Sequence, residues 1–224
     1  MTVLMGVVGP AVHGLDPEDD EPKVLGVYLA DAEDVCGLHG PAALARTYVS
    51  PGGDLTMHEL HKFATLALEA DPAASELLWL GSHTVCTEAG RALVELREAF
   101  LSAPCVRKAY GGAALRLFRR PSPPADEDAE LITAYARDCL RLLRQGRALL
   151  TSGRLITDMT AQREDVLAAA ELATRNPKAF SAVIRTELAA LDSIDSVLPG
   201  RPDTARVNAT LIELRLASLR QAAP

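Results

Sequence analysis

The sequence predicts an α/β domain followed by an all-helical domain. Short runs rich in β-branched residues occupy the first third of the chain, and from Thr56 the apolar residues recur at helical spacing. The stretch 121–126 (PSPPAD) then separates the two parts, because successive prolines remove backbone donors and disfavour helix in the residues before them. We therefore expect the α/β domain over residues 1–120 and the helical domain over residues 126–224.

Three segments of the first third are candidate strands. The runs 3–8 and 24–29 are rich in valine and leucine, and 44–49 is the third candidate. An acidic, proline-bearing loop over 16–23 lies between the first two. Its residue types favour turns over any regular element.

Helices are expected in the rest of the first domain. Thr56 and Glu59 have the spacing of a capping box, which predicts a helix that begins there. Two more helices are predicted over 87–101 and 104–120. The second of these contains Gly111-Gly112, which would destabilise a helix by about 1 kcal/mol per glycine and therefore predicts close packing or a kink.

The segment after the proline-rich stretch is predicted to be entirely helical. Apolar residues between 131 and 143 repeat in helical register on a wide face. Further helices are expected over 161–175, 178–197 and 205–221. Asp203 is a natural cap for the last of them.

Composition limits the classes of partner and the compartment. The chain has 224 residues, of which 48% are hydrophobic, so it can bury a sizeable core. Its 23 basic and 30 acidic residues give a net charge of −7, which disfavours broad attraction to nucleic acid or to an anionic membrane. The opening run 3–8 is far shorter than the roughly 20 residues of a membrane span, so we expect no membrane association and a cytoplasmic protein.

Several stretches resemble one known family. Residues 9–29 (GPAVHGLDPEDDEPKVLGVYL) contain a small-residue turn, an acidic loop and a Gly-Val-Tyr run. This is similar to the predicted nucleotidyltransferases of the DNA polymerase beta superfamily, in which Gly-Ser-Arg-Ala leads without a gap to Asp-x-Asp and Arg-Gly-Val-Tyr. Residues 54–79 resemble the family's helix with Asn-Pro and Leu-Glu-x-Leu-Trp, and 100–120 resemble its Tyr-x-Gly-Tyr-Ala helix. Residues 141–155 and 198–215 resemble its C-terminal region.

The resemblance implies a fold and a reaction. The fold would be a small mixed sheet with flanking helices, followed by a helical domain that closes one side of a cleft. The reaction would be transfer of NMP from NTP to a hydroxyl, with two Mg²⁺ ions held by carboxylates and a turn that presents N–H groups to the phosphates. An NTP and an RNA or protein acceptor are the partners that such a reaction implies.

Carried over to this chain, the family's site is altered at two key positions. Gly9 and Pro10 occupy the phosphate turn, where Pro10 replaces serine and removes a hydroxyl and a backbone donor. Glu21 occupies the first metal-binding aspartate and Lys23 the second, and an ammonium group cannot ligate a metal ion. His13 lies in the same turn, either beside the nucleotide or as a shape-filling residue.

Two interpretations of this site remain open. In the first, Asp19 and Glu21 form a shifted carboxylate pair and bind Mg²⁺ together with Asp54, so that these three residues are the metal and catalytic groups. In the second, Lys23 contacts a phosphate directly, and the metal site has become a metal-free anion site. The sequence thus predicts a nucleotidyltransferase-like protein with weakened or lost catalysis. The alternative is a non-catalytic nucleotide-binding or protein-interaction module.

Two other patterns have both functional and ordinary interpretations. Cys36-x-x-His39 and His83-x-x-Cys86 have the spacing of zinc ligands, although scattered residues produce such pairs by chance. The cluster Arg116, Arg119 and Arg120 suits either an RNA or triphosphate contact or a solvated helix face.

Overall fold

A small mixed sheet forms the core of the first half of the chain. The structure is a computed structural model that describes residues 1–15, 22–36, 42, 44–119 and 129–222. The sheet has five strands in the order β3-β4-β2-β1-β5. β1 pairs antiparallel with β2 and β5, β3 pairs antiparallel with β4, and β2 pairs parallel with β4. The strands are β1 Thr2–Val8, β2 Lys23–Tyr28, β3 Thr47–Val49, β4 Leu55–Glu59 and β5 Val85–Cys86.

Helices flank this sheet and, with the turns and loops between them, form the rest of the described chain. Those of the first 119 residues are α1 Pro10–His13, α2 Ala32–Cys36, α3 Leu60–Leu68, α4 Pro72–Trp79, α5 Glu88–Glu95, α6 Ala103–Val106 and α7 Gly112–Phe118. A π-helical turn, Arg107–Gly111, joins α6 to α7. The later helices are α8 Ala129–Ser152, α9 Arg163–Arg175, α10 Pro177–Ser193 and α11 Thr204–Ala222, with a 3₁₀ turn at Thr160–Gln162.

Side-chain caps explain where several of these helices begin. The Asp71 carboxylate accepts the N–H groups of Ala73 and Ala74 at 3.1 Å, directly before Pro72 at the first position of α4. Asp203 likewise accepts the Arg206 N–H at 3.0 Å, which confirms the predicted cap of the last helix. Polar residues at helix starts are therefore explained by donors that would otherwise lack partners.

The predicted capping box at Thr56 and Glu59 is wrong. Residues 55–59 form β4, which lies between β2 and β3 and pairs with both. Strand pairing on two sides stabilises an extended chain that local helical spacing cannot reveal. Glu59 caps the helix that follows, because its carboxylate accepts the His61 N–H at 2.7 Å and α3 begins at Leu60.

Other boundaries differ from the predicted ones by several residues. The strand expected over 44–49 is confined to Thr47–Val49. The helix expected over 87–101 ends at Glu95, and a turn follows. The helix expected over 104–120 is present within the described residues. Gly111 allows close packing there, because a Cβ on it would lie 3.3 Å from a Leu191 methyl group.

Two clusters of buried apolar side chains organise the molecule. One joins the sheet to α3, α4 and α5 and includes Phe63 and Phe100. The other joins α6, the π-helical turn and α7 to α8, α9 and α10, with Tyr110 among its buried members. Burial of each such large apolar side chain contributes about 1.5–3 kcal/mol. The division into domains 1–120 and 126–224 stays a prediction, since residues 120–128 are outside the described ranges.

Helix α11 follows the helices of the second cluster along the chain, but it packs against the first cluster, the one around the sheet. Val207 is 1% exposed and packs in the cluster around the sheet, with Leu211 and Leu214 against it. A backbone bond also joins the residue before this helix to the α/β part of the chain, from the Asp203 N–H to the Ala99 carbonyl at 2.9 Å. In the described part of the chain, no helix has the length and apolar composition needed to cross a membrane.

Candidate functional site

The candidate site lies at one corner of the sheet, where β1 ends and β2 and β4 begin. Val8, the last residue of β1, is opposite Lys23, the first residue of β2. The β4 strand runs parallel to β2, and the Val24 N–H donates to the Asp54 carbonyl at 2.7 Å. Strand pairing therefore brings together the Gly9 turn, Lys23 and Asp54, three of the features that the sequence assigned to one site.

Gly9 gives the turn its shape. Its φ of 85° and ψ of −158° lie in a region that is essentially restricted to glycine. The chain then enters α1, a single helical turn with Pro10 at its first position. The Val12 N–H donates back to the Gly9 carbonyl at 3.1 Å, so the turn is tight and closed.

The Gly9 N–H is bonded to a carboxylate of the protein itself. It donates to Glu76 Oε1 at 2.8 Å, and Glu76, on α4, is only 5% exposed. Pro10 has no N–H group to offer. The first two residues of the turn consequently present no free donor to a phosphate, and Ala11 carries the next N–H along the chain.

His13 is a buried partner of the same carboxylate. Its Nε2 lies 3.0 Å from Glu76 Oε1, at ion-pair distance but without the alignment of a hydrogen bond, and the residue is 1% exposed. Both roles predicted for His13, beside a nucleotide or as a shape-filling residue, stay predictions. Sequence reasoning missed Glu76, although an acidic residue inside the apolar stretch 73–79 (AASELLW), at the glutamate of the family's Leu-Glu-x-Leu-Trp motif, was a signal that could have revealed it.

The turn is also anchored to the helical part of the chain. The Met159 N–H donates to the His13 carbonyl at 2.9 Å. Gly14 has a φ of 66°, and a Cβ on it would clash with the Thr160 hydroxyl oxygen. Any residue with a side chain would therefore be strained here for two reasons, the left-handed backbone conformation and the contact with Thr160.

Asp54 is exposed and belongs to a tight turn before β4. The Ser50 hydroxyl donates to its Oδ1 at 2.5 Å, and this bond is the main reason why the pKa of the Asp54 carboxyl lies below its ordinary value. Ser50 Oγ also accepts the Leu55 N–H at 3.0 Å. Asp54 is thus ionised at neutral pH and held at the start of its strand.

Lys23 is exposed at the start of β2. The predicted metal residues Asp19 and Glu21 lie outside the described residues, so the shifted carboxylate pair stays a prediction. Within the described ranges, no group of three or more His, Cys, Asp or Glu side chains is arranged to hold a metal ion.

The remaining predicted residues are dispersed. The His83 Nε2 lies 2.8 Å from the Leu77 carbonyl, Cys86 lies in β5, and Cys36 is exposed in α2, while His39 is outside the described ranges. Arg116 and Arg119 are exposed at the end of α7 and its cap.

The fold and this corner define a mixed α/β protein with a glycine turn at the edge of its sheet. A comparison with family models shows to which family this protein belongs: the chain is a member of the RlaP family. That family is described as an RNA repair pathway DNA polymerase beta family, and its model matches residues 1–190. This confirms the resemblance to nucleotidyltransferases of the DNA polymerase beta superfamily. Searches of curated proteins and of solved structures find no significant match.

Proposed function

We propose that this chain is a nucleotidyltransferase-family protein in which metal-dependent transfer is weakened or lost and the cleft binds a nucleotide through a metal-free anion site. The observation that carries this proposal is that the first two residues of the phosphate turn have no free N–H group. The Gly9 N–H already donates to the Glu76 carboxylate, and Pro10 has no N–H. A triphosphate would therefore meet a turn whose first two residues have no free N–H group to donate.

Lys23 supports the second half of the proposal. Lys23 is exposed at the same corner, opposite Val8, and the next residue, Val24, donates its N–H to the Asp54 carbonyl. Its ammonium group attracts a phosphate directly, as a compact charge with three donors. With the Ala11 N–H nearby along the turn, it offers an anion site that needs no metal.

The described residues do not fit the two-ion site of the family reaction. At the starts of β2 and β4 they provide one carboxylate, Asp54, beside one ammonium, Lys23, and the Asp54 carboxylate already accepts the Ser50 hydroxyl. Two Mg²⁺ ions need several oxygen ligands between them. We therefore assign no step to a metal ion.

A second candidate function is a working transferase that uses Asp19, Glu21 and Asp54. The position of Asp54 favours it, because the backbone bond from Val24 holds this carboxylate at the strand that follows the acidic loop. In that case wild-type protein would show Mg²⁺-dependent transfer, and Asp54→Asn would abolish it.

The test is to restore the family residues. In the double variant Pro10→Ser with Lys23→Asp, the turn regains a donor and the corner regains a carboxylate, so Mg²⁺-dependent transfer from labelled NTP should rise at least about tenfold over wild type, roughly 1.4 kcal/mol in the barrier. Lys108→Asp, an exposed charge reversal in the π-helical turn, is the matched control and should leave transfer unchanged. A folded double variant as inactive as wild type would contradict the assignment of Lys23 to a metal-ligand position.

A further inference from the structure

Helix α11 carries apolar side chains on two opposite faces. Val207, Leu211 and Leu214 pack into the cluster around the sheet and define the inner face of the helix. Because an α-helix has about 3.6 residues per turn, the residues on the opposite face recur at a spacing of four and three positions. These residues, which form the outer stripe, are Ala205, Ala209, Ile212, Leu216 and Leu219.

The outer stripe is in contact with solvent. Ile212 is 50% exposed and Leu216, one turn further along, is 45% exposed. Both alanines of the stripe are exposed as well, and Leu219 is partly buried. Exposed apolar residues in a continuous row, unlike single ones, indicate an interaction surface. Their alternating spacing of four and three is that of the a and d positions of a coiled coil, so the surface fits another helix.

The sizes of the side chains fit a second copy of α11 that runs antiparallel to the first. When Ile212 lies opposite Leu216 of the second copy, Ala209 lies opposite Leu219 of that copy. A small residue then faces a large one at both ends, which keeps the two helix axes at a constant distance. A parallel pair would instead place alanine against alanine at one end and leucine against leucine at the other. The stripe is therefore complementary to itself under a twofold axis.

The charges beside the stripe agree with the same arrangement. Glu213 and Arg220 are exposed, seven residues apart, along one edge of the stripe. In an antiparallel pair these edges face each other, and helical side chains lean toward the N-terminus of their own helix. Glu213 of one copy thus approaches Arg220 of the second copy, and the twofold axis produces two such pairs. On the other edge, Arg215 is already paired with Glu59.

We propose that the outer stripe of α11 is a dimerisation surface on which a second copy of this chain docks through its own α11, antiparallel and about a twofold axis. The proposal is independent of the proposed function. Arg215 of α11 reaches Glu59 at the end of β4, whereas the candidate site lies at the start of that strand.

The first test introduces a charge into the stripe. Analytical ultracentrifugation of the full chain over a range of concentrations measures the dissociation constant of the dimer. Val197, in the loop before α11, is 64% exposed, so Val197→Lys is the matched control for Leu216→Lys. We expect equal dimer affinity in wild type and Val197→Lys, and at least about tenfold weaker association in Leu216→Lys, because an unpaired ammonium group is disfavoured in an apolar interface.

The second test exchanges the charges at the edge of the stripe. Glu213→Arg and Arg220→Glu should each weaken the dimer at least about threefold, since two symmetric attractions become repulsions. The double variant restores opposite charges and should regain wild-type affinity. Both residues are exposed, so these variants decide the matter even where circular dichroism shows that Leu216→Lys is unfolded.

Three results would overturn the proposal. Wild type could sediment as a monomer at every soluble concentration, which would reserve the stripe for a different protein. A folded Leu216→Lys variant could dimerise as well as Val197→Lys, which would place the interface elsewhere. The double charge exchange could fail to restore affinity, which would exclude the antiparallel pairing of the two helices.

Discussion

At the scale of single residues, two buried carboxylates organise the α/β part of the molecule. Glu76 holds the turn after β1 through the Gly9 N–H, and Glu59 is completely buried at the end of β4. Glu59 accepts Arg215 Nη2 at 2.6 Å, the Ala30 N–H at 3.4 Å and the His61 N–H at 2.7 Å. A buried charge is tolerated when it is paired and hydrogen-bonded in this way.

The pair between Glu59 and Arg215 leads to a stability prediction. Arg215→Ala would leave the Glu59 charge buried without its partner, which should cost about 3–5 kcal/mol of unfolding free energy. Urea denaturation measures this loss. The control is Arg147→Ala, which removes the half-exposed partner of Glu187 and should change stability by less than about 1 kcal/mol. Similar small losses in both variants would show that the buried pair has no special role.

At the scale of elements, the close approach of α8 to the π-helical turn depends on a glycine. A Cβ at Gly146, in α8, would lie 2.8 Å from the Tyr110 Cβ and 3.1 Å from a Leu191 methyl group. Tyr110 is fully buried in the π-helical turn, and burial raises the pKa of its hydroxyl far above the ordinary value. A methyl group at position 146 would therefore force a shift in a densely packed core.

Two alanine substitutions separate packing from helix propensity. Gly146→Ala should destabilise the protein by about 1–3 kcal/mol, because overpacking exceeds the gain in propensity. Gly112→Ala, in α7, meets no atom closer than 3.6 Å, the end of the Arg116 side chain, and should stabilise by up to about 1 kcal/mol. Thermal or urea unfolding of both variants provides the comparison, and stabilisation by Gly146→Ala would contradict the packing described here.

The same scale shows what sequence reasoning could and could not predict. The helices after residue 129 were predicted because their apolar spacing is regular and their caps, such as Asp203, are local. β4 was missed because its extended form depends on β2 and β3, which come from distant parts of the chain. The π-helical turn could not be predicted either, although Gly111-Gly112 did predict close packing there.

The candidate site, like the fold, could be predicted from the sequence only in part. The residue types at Gly9, Pro10 and Lys23 could be compared with a family pattern position by position. The bond between the Gly9 N–H and Glu76 joins residues that are 67 positions apart, so only the folded structure reveals it. That contact, together with Pro10, is what changes the interpretation of the turn.

At the scale of the whole molecule, the last helix of the described chain lies outside the residues that the family model matches. The family match ends at residue 190, and α11 begins at Thr204. This helix packs on the cluster around the sheet and contributes Arg215 to the buried Glu59. The pair between Arg215 and Glu59 lies at the end of β4, whereas Asp54 precedes the start of that strand. Substitutions at the candidate site therefore need not disturb this part of the fold.

We expect the corner at Lys23 to bind a nucleotide without magnesium. The most direct measurement is the thermal midpoint of the full chain with each NTP, in excess Mg²⁺ and in chelator, for wild type and Lys23→Ala. Ligand at about 100 times its Kd adds roughly 2.7 kcal/mol to the unfolding free energy. The thermal midpoint should rise by the same amount with and without Mg²⁺, and the rise should be lost in Lys23→Ala. An increase that requires Mg²⁺, or no increase with any NTP, would contradict it.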